Sequence, residues 1–140
     1  MKKRIIITAS VFGMLAVIAG AFGVHGLQGV ITPKNLEIWH TAVEYQFYHA
    51  FALLFLSTLT RQNIKTLIHC YYLFSAGIVM FCGSLYLLAC IDYVGIGWLP
   101  ILGPVTPIGG LLFIAGWMVL GVTALKVSDR GQSSGSSSRK

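Results

Sequence analysis

The chain contains four long apolar segments, and its basic residues lie almost entirely on one side of them. The segments cover residues 5–24, 41–59, 67–91 and 107–125, each to within a few positions. Of the ten Lys and Arg residues, only Lys34 falls on the other side, between the first and second segments. Because short loops rich in Lys and Arg stay in the cytoplasm, this pattern predicts four transmembrane helices with both termini cytoplasmic.

Composition places the chain in the same class. Hydrophobic residues make up 56% of it and charged residues 10%, against about 25% charged residues in soluble proteins. The net charge of +6 is spread over short terminal and connecting segments, with no basic face that carries interleaved aromatic residues. It therefore predicts contact with anionic lipid headgroups and no nucleic-acid partner.

The first two segments differ in how their helices begin. A cleaved signal peptide is an alternative for the first, although its apolar stretch exceeds the usual 7 to 15 residues or so of a signal core. The second helix is predicted to start at Pro33, with Thr32 as N-cap. An unbroken helix to Leu59 would be about 40 Å long, against a hydrocarbon core of about 30 Å, so its first turns should lie outside the core.

The third segment is followed by a loop with unusual composition. Residues 93–105 are rich in Gly and Pro and contain no charged residue, which favours a cap folded over the outer end of the bundle. The fourth helix is predicted to begin at Pro107, after Thr106. Residues 1–127 then form one four-helix transmembrane domain, and the Ser-rich residues 128–140 a disordered cytoplasmic tail.

Small residues in the first segment have the spacing that lets transmembrane helices approach closely. Ala9 and Gly13, and Ala16 and Gly20, are each four residues apart, which indicates close packing within the bundle or, alternatively, contacts between copies of the chain. The three cysteines lie in or beside the third segment without a CxxC pair, so the sequence predicts free buried thiols.

The outer half of the second helix carries most of the polar chemistry. His40, Glu44 and Tyr48 share one face, Tyr45 and His49 lie on the adjoining face, and apolar residues including Val43 and Ala50 lie opposite. Since ionisable groups are costly against lipid, we expect the polar side to point into the bundle or a cavity. His25, at the outer end of the first helix, would then meet it.

Three interpretations of these residues remain open. His25, His40, Glu44 and His49 are suitable ligand types for zinc or iron, although their spacing matches no known pattern. Glu44 and His49 would also serve a proton or solute pathway. The structural interpretation is that the side chains hydrogen-bond one another and the predicted cap.

Four ordered motifs resemble the domain of unknown function 423 family. They are Gly20-Ala21-Phe22-Gly23-Val24-His25-Gly26-Leu27, Thr41-Ala42-Val43-Glu44-Tyr45-Gln46-Phe47-Tyr48-His49-Ala50, Phe81-Cys82-Gly83-Ser84-Leu85-Tyr86-Leu87, and Gly103-Pro104-Val105-Thr106-Pro107-Ile108-Gly109-Gly110 followed by Gly116-Trp117. The resemblance covers residues 5–125 and implies a small multi-span protein of the bacterial inner membrane, with no established reaction or substrate. This chain departs from the family pattern at Glu44 and Cys82.

The resemblance also implies a shared polar site, formed by signature residues of the four motifs: His25, Tyr45, Gln46, Tyr48, His49, Ser84 and Tyr86. We find no catalytic motif, so the leading hypothesis is a non-enzymatic accessory or structural membrane component without a cofactor or metal. It would act alone, as a homo-oligomer or in a larger membrane complex. The second hypothesis is a small transporter or channel, in which the region of His25 and His49 lines the route.

Overall fold

The structure is a computed structural model that describes the backbone of residues 1–59, 64–94 and 102–133, with side chains for all of these except 93, 94, 102 and 126–133. All regular structure in these ranges is helical. The elements, in chain order, are α1 (Lys2–Phe22) with a π-helical turn (Gly23–Leu27), α2 (Pro33–Thr58), α3 (Ile64–Gly77) with a second π-helical turn (Ile78–Cys82), α4 (Gly83–Ala89), α5 (Ile91–Val94) and α6 (Leu102–Ser133).

Three of the described helices are long and apolar enough to cross a membrane. They are Lys2–Leu27, Ile64–Ala89 (α3, its π-helical turn and α4 taken together) and Gly103–Leu125. The predicted all-α membrane class is therefore confirmed at this level. Helix α2 also has 26 residues, but Glu44, Gln46 and His49 lower its mean hydropathy, and it is not among the three.

The predicted start of α2 is confirmed. Thr32 has extended backbone angles, its Oγ1 accepts a hydrogen bond from Asn35 N over 3.2 Å, and Pro33 is the first helical residue. The threonine oxygen satisfies one of the N–H groups that lack a partner in the first turn, and proline has no N–H to satisfy there.

The predicted start of the fourth helix is wrong. Helix α6 begins at Leu102, so Pro107 lies inside it and Thr106 caps nothing. The physical reason is that Pro104 already occupies the first turn, where a missing N–H costs little, while the Thr106 hydroxyl hydrogen-bonds another helix. Of the predicted cap over 93–105, residues 93–94 and 102–105 have helical backbone, and residues 95–101 lie outside the described part, so the cap itself stays a prediction.

The C-terminal end of α6 also differs from expectation. The helix continues to Ser133, whereas the sequence predicts a disordered tail from residue 128. Residues 134–140 lie outside the described part, and for them disorder stays a prediction.

Helix α2 lies at the centre of the packing. It contacts α1 on one side and α3, the second π-helical turn and α4 on another, while α6 packs along α3 and that turn. The main core contains the fully buried Leu53 and Leu56 of α2 and Phe74 of α3. Helix α6 comes so close to the turn that a Cβ built on Gly109 would lie 2.4 Å from Phe81 N.

Candidate functional site

The buried face of α2 differs from the polar face that the sequence predicts. One seam with alternating spacings of four and three residues is buried throughout: Asn35, Trp39, Ala42, Gln46, His49, Leu53 and Leu56. Val43 and Ala50, which we expected opposite the polar side, are also buried, whereas Glu44 is exposed and Tyr48 is 57% exposed. The prediction that the face of Glu44 and Tyr48 points into the bundle is therefore wrong.

The difference has a simple physical reason. Gln46 and His49 find hydrogen-bond partners inside the bundle. Glu44 has no ion pair or hydrogen bond with any residue that the structure describes, and a carboxylate buried without a partner is costly. The polar residues of the sequence indicate that α2 has a polar face. Which of these side chains is buried depends on the hydrogen-bond partners that the neighbouring helices offer.

Gln46 joins three helices through its amide group. Its Nε2 donates to the backbone carbonyl of Phe12 in α1 over 2.8 Å, and its Oε1 accepts from the Tyr86 hydroxyl in α4 over 2.9 Å. The Gln46 side chain is buried and Tyr86 is half-buried. Hydrogen bonds of this kind hold helices together where no water competes.

His49 is also fully hydrogen-bonded. Its Nδ1 lies 2.8 Å from the Tyr45 carbonyl oxygen, which can only accept, so Nδ1 carries the proton. Trp117 Nε1 then donates to the unprotonated Nε2 over 3.3 Å. Phe113 stacks on the imidazole with ring centroids 3.4 Å apart. These bonds require the neutral ring, because a proton on Nε2 would face the indole N–H.

The other predicted site residues have separate surroundings. Ser84 is buried, donates to the Phe81 carbonyl over 2.9 Å and lies 2.7 Å from Thr106 Oγ1 in α6. Tyr45 is 39% exposed, with its ring 4.8 Å from that of Phe81. His25 is exposed in the middle of the first π-helical turn.

The seven predicted residues therefore do not form one pocket. Gln46 and Tyr86 meet, Tyr45 contacts His49 and Tyr48 through its ring, and His25 stands apart. Whether any of them binds a ligand stays a prediction. Within the described ranges, no group of three or more His, Cys, Asp or Glu side chains is placed to hold a metal ion, so His25, His40, Glu44 and His49 are not brought together.

Several residues of the polar network were missed by sequence reasoning. Trp39 Nε1 donates to the Ala19 carbonyl over 2.8 Å, and Asn35 Nδ2 donates to Asp92 Oδ2 over 2.9 Å. Thr106 and Trp117 supply partners from α6. The signals in the sequence are the presence of these polar groups in or beside apolar helices and, for Thr106 and Trp117, their place in the fourth motif. Neither signal identifies partners far along the chain.

A groove of about 460 Å³ is lined by α1, α2, the second π-helical turn and α4. Its wall includes Trp39, Gln46 and Tyr86, whose polar groups already bond Ala19, Phe12 and one another. The rest of the lining is mostly hydrocarbon, from residues such as Leu15 and Val79. The groove therefore offers an apolar surface rather than a set of free polar groups.

Comparison with known proteins gives one consistent result. A family model described as "Protein of unknown function (DUF423)" matches residues 19–110. The UPF0382 membrane protein YwdK of Bacillus subtilis (strain 168) is 41% identical over 126 residues, covering 89% of this chain and 98% of that protein. The UPF0382 membrane protein SERP0230 of Staphylococcus epidermidis (strain ATCC 35984) is 42% identical over 124 residues, covering 89% and 97%. No solved structure matches.

Proposed function

This chain belongs to the DUF423 family, and on that premise we propose that it is a non-enzymatic structural or accessory component of the bacterial inner membrane. Its relatives are named only as membrane proteins. In this proposal α2 crosses the membrane in addition to the three apolar helices, which gives four spans in all. Both termini lie in the cytoplasm, and a cap covers the outer end. The bias of Lys and Arg to one side supports this orientation.

The position of α2 supports its role as a span. It packs between α1 and the continuous helix of α3 and α4, both apolar enough to cross a bilayer. Its 26 residues make it about 39 Å long at about 1.5 Å per residue. Its polar Gln46 and His49 are paired inside the bundle, which lowers the cost of their presence at membrane depth.

The observation that carries the proposal is that the buried polar groups of α2 are already used to hold helices together. Gln46 links α1 to α4, and His49 links α2 to α6. A transport route needs groups that can exchange partners with a solute or proton. Here both nitrogens of His49 are engaged in one fixed tautomer, which supports a structural role.

A flux measurement in liposomes tests the proposal. Purified protein is reconstituted with an internal pH-sensitive dye, and a potassium gradient with valinomycin drives proton entry. We expect wild type and His49→Ala to give the flux of protein-free vesicles. Proton or solute flux in wild type, lost in a His49→Ala protein that still folds, would establish the transporter instead.

A further inference from the structure

The outward face of α2 has a composition unlike the outward faces of its neighbours. Its exposed seam repeats every three and four residues, as a helix contact does: Glu37, Thr41, Glu44, Tyr48, Phe51, Phe55 and Thr58. By contrast, the strongly exposed residues of α1 and α6 are mostly aliphatic, for example Val17 at 60% and Leu111 at 63%. Aliphatic faces suit lipid, whereas a row that carries carboxylate and hydroxyl groups does not.

Contacts with α1 fix the level of Glu44 on this seam. Val43 Cγ1 would lie 3.6 Å from a Cβ built on Gly20, and Gln46 bonds the carbonyl of Phe12. Glu44 therefore lies beside the part of α1 between Phe12 and Gly20, which is inside the apolar span Lys2–Leu27. This step depends on the proposed function, because it requires α2 to cross the bilayer.

At that level Glu44 has no partner among the residues that the structure describes. Within the described part of the molecule, neither its carboxylate nor the Tyr48 hydroxyl, one turn away, takes part in a hydrogen bond or ion pair. An ionisable group on a lipid-facing surface is costly, and an unpaired hydroxyl adds to that cost. Something other than lipid chains should cover this seam.

We propose that the seam is the interface with a second copy of this chain, in which Glu44 accepts a hydrogen bond from Tyr48 of the second copy. A two-fold axis along the membrane normal brings equal levels of the two α2 helices together, so each acceptor lies about one turn from a donor on the other copy. The seam carries acceptor and donor at this spacing and is therefore self-complementary. Phe51 and Phe55, 61% and 54% exposed, extend the contact toward the cytoplasmic end.

A matched pair of cysteine variants tests the interface in native membranes. Phe51→Cys lies on the seam, whereas Met118→Cys lies on α6 with nearly equal exposure, 61% against 60%. The contact of His49 with Trp117 places the two sites at similar depth. Under mild oxidation we expect a disulfide-linked dimer for Phe51→Cys, with a yield several times that of Met118→Cys and of wild type, which retains the native cysteines.

Changes at Glu44 then test the hydrogen bond. In the Phe51→Cys background, Glu44→Ala should lower the dimer yield by about threefold or more, while Glu44→Gln, which keeps an acceptor oxygen, should retain most of it. Native mass spectrometry of the unmodified protein should show twice the 15.2 kDa chain mass. Equal yields at Phe51 and Met118, or a cross-link mainly to a different protein, would overturn the proposal.

Accessibility separates failure of this inference from failure of the proposed function. A membrane-impermeant maleimide should leave Phe51→Cys unlabelled in intact and in broken cells. Labelling from either side would remove the placement of α2 as a span, and the interface with it. An unlabelled Phe51→Cys that forms no dimer would overturn the interface alone.

Discussion

At the scale of single residues, Gln46 offers the sharpest test of how this protein is held together. Leucine fills a volume similar to that of glutamine with an apolar group, but it leaves the half-buried Tyr86 hydroxyl without its acceptor. We expect Gln46→Leu to lower the free energy of unfolding by about 1 to 3 kcal/mol. Unfolding is followed by circular dichroism during SDS titration in mixed micelles.

A double-mutant cycle isolates the hydrogen bond. Tyr86→Phe removes the other partner, so the double variant Gln46→Leu/Tyr86→Phe should lose less stability than the sum of the two single changes. Tyr72→Phe, at a 54% exposed tyrosine, provides a control that should have little effect. Strict additivity of the two single changes would show that the bond to Tyr86 contributes nothing.

The same residues show what the sequence can and cannot predict. The sequence indicates that Gln46 and His49 are unusual in an apolar helix, and the resemblance singles both out. It does not indicate that these two side chains are buried while Glu44 is exposed. The partner of Gln46 is the Phe12 carbonyl, 34 positions away along the chain, and the partner of His49 is Trp117, 68 positions away. Burial depends on those partners, and the local pattern does not contain them.

At the scale of helices, two identical dipeptides lead to different structures. Thr32 and Pro33 begin α2 as predicted, but Thr106 and Pro107 lie inside α6. In the second case the threonine hydroxyl pairs with Ser84 of α4 at 2.7 Å, so a tertiary contact replaces the cap. Local capping rules therefore predict a helix start only where no neighbouring helix offers the hydroxyl another partner.

The contact of α6 with the second π-helical turn leads to a second prediction. A methyl group on Gly109 would lie 2.4 Å from Phe81 N and 2.7 Å from Phe81 Cα, and a backbone cannot move aside as a side-chain end can. Gly109→Ala should therefore push the helices apart and destabilise the fold by about 1 to 3 kcal/mol. Thermal melting in detergent, followed by tryptophan fluorescence, measures the loss.

The neighbouring glycine supplies the matched control. A methyl group on Gly110 would come no closer than 3.8 Å, to the Phe81 ring, which is ordinary contact. Gly110→Ala should leave stability unchanged or slightly raised, since alanine favours helices over glycine. A melting temperature for Gly109→Ala equal to that of Gly110→Ala would mean that the folded protein does not contain this close approach.

At the scale of the whole molecule, composition and the apolar segments predict the all-helical membrane class. The apolar segments correspond to helices, and three of these helices are long and apolar enough to cross a membrane. The helix of the second segment is not, because Glu44, Gln46 and His49 lower its mean hydropathy. Gln46 and His49 serve internal contacts, whereas Glu44 lies on the outward seam. Whether α2 crosses the bilayer is therefore the question on which the topology depends.

Cysteine labelling at two exposed positions that flank α2 tests whether this helix crosses the bilayer. Gln28 precedes the helix, and Ile64, 52% exposed, begins α3 after it. If α2 crosses, a membrane-impermeant maleimide should label Gln28→Cys in intact spheroplasts and Ile64→Cys only after permeabilisation. Lys3→Cys should behave like Ile64→Cys, since basic segments stay in the cytoplasm. Labelling of positions 28 and 64 from the same side would mean that α2 lies along the membrane surface. Its polar outward seam would then face water, and neither the fourth span nor the interface between two copies would stand.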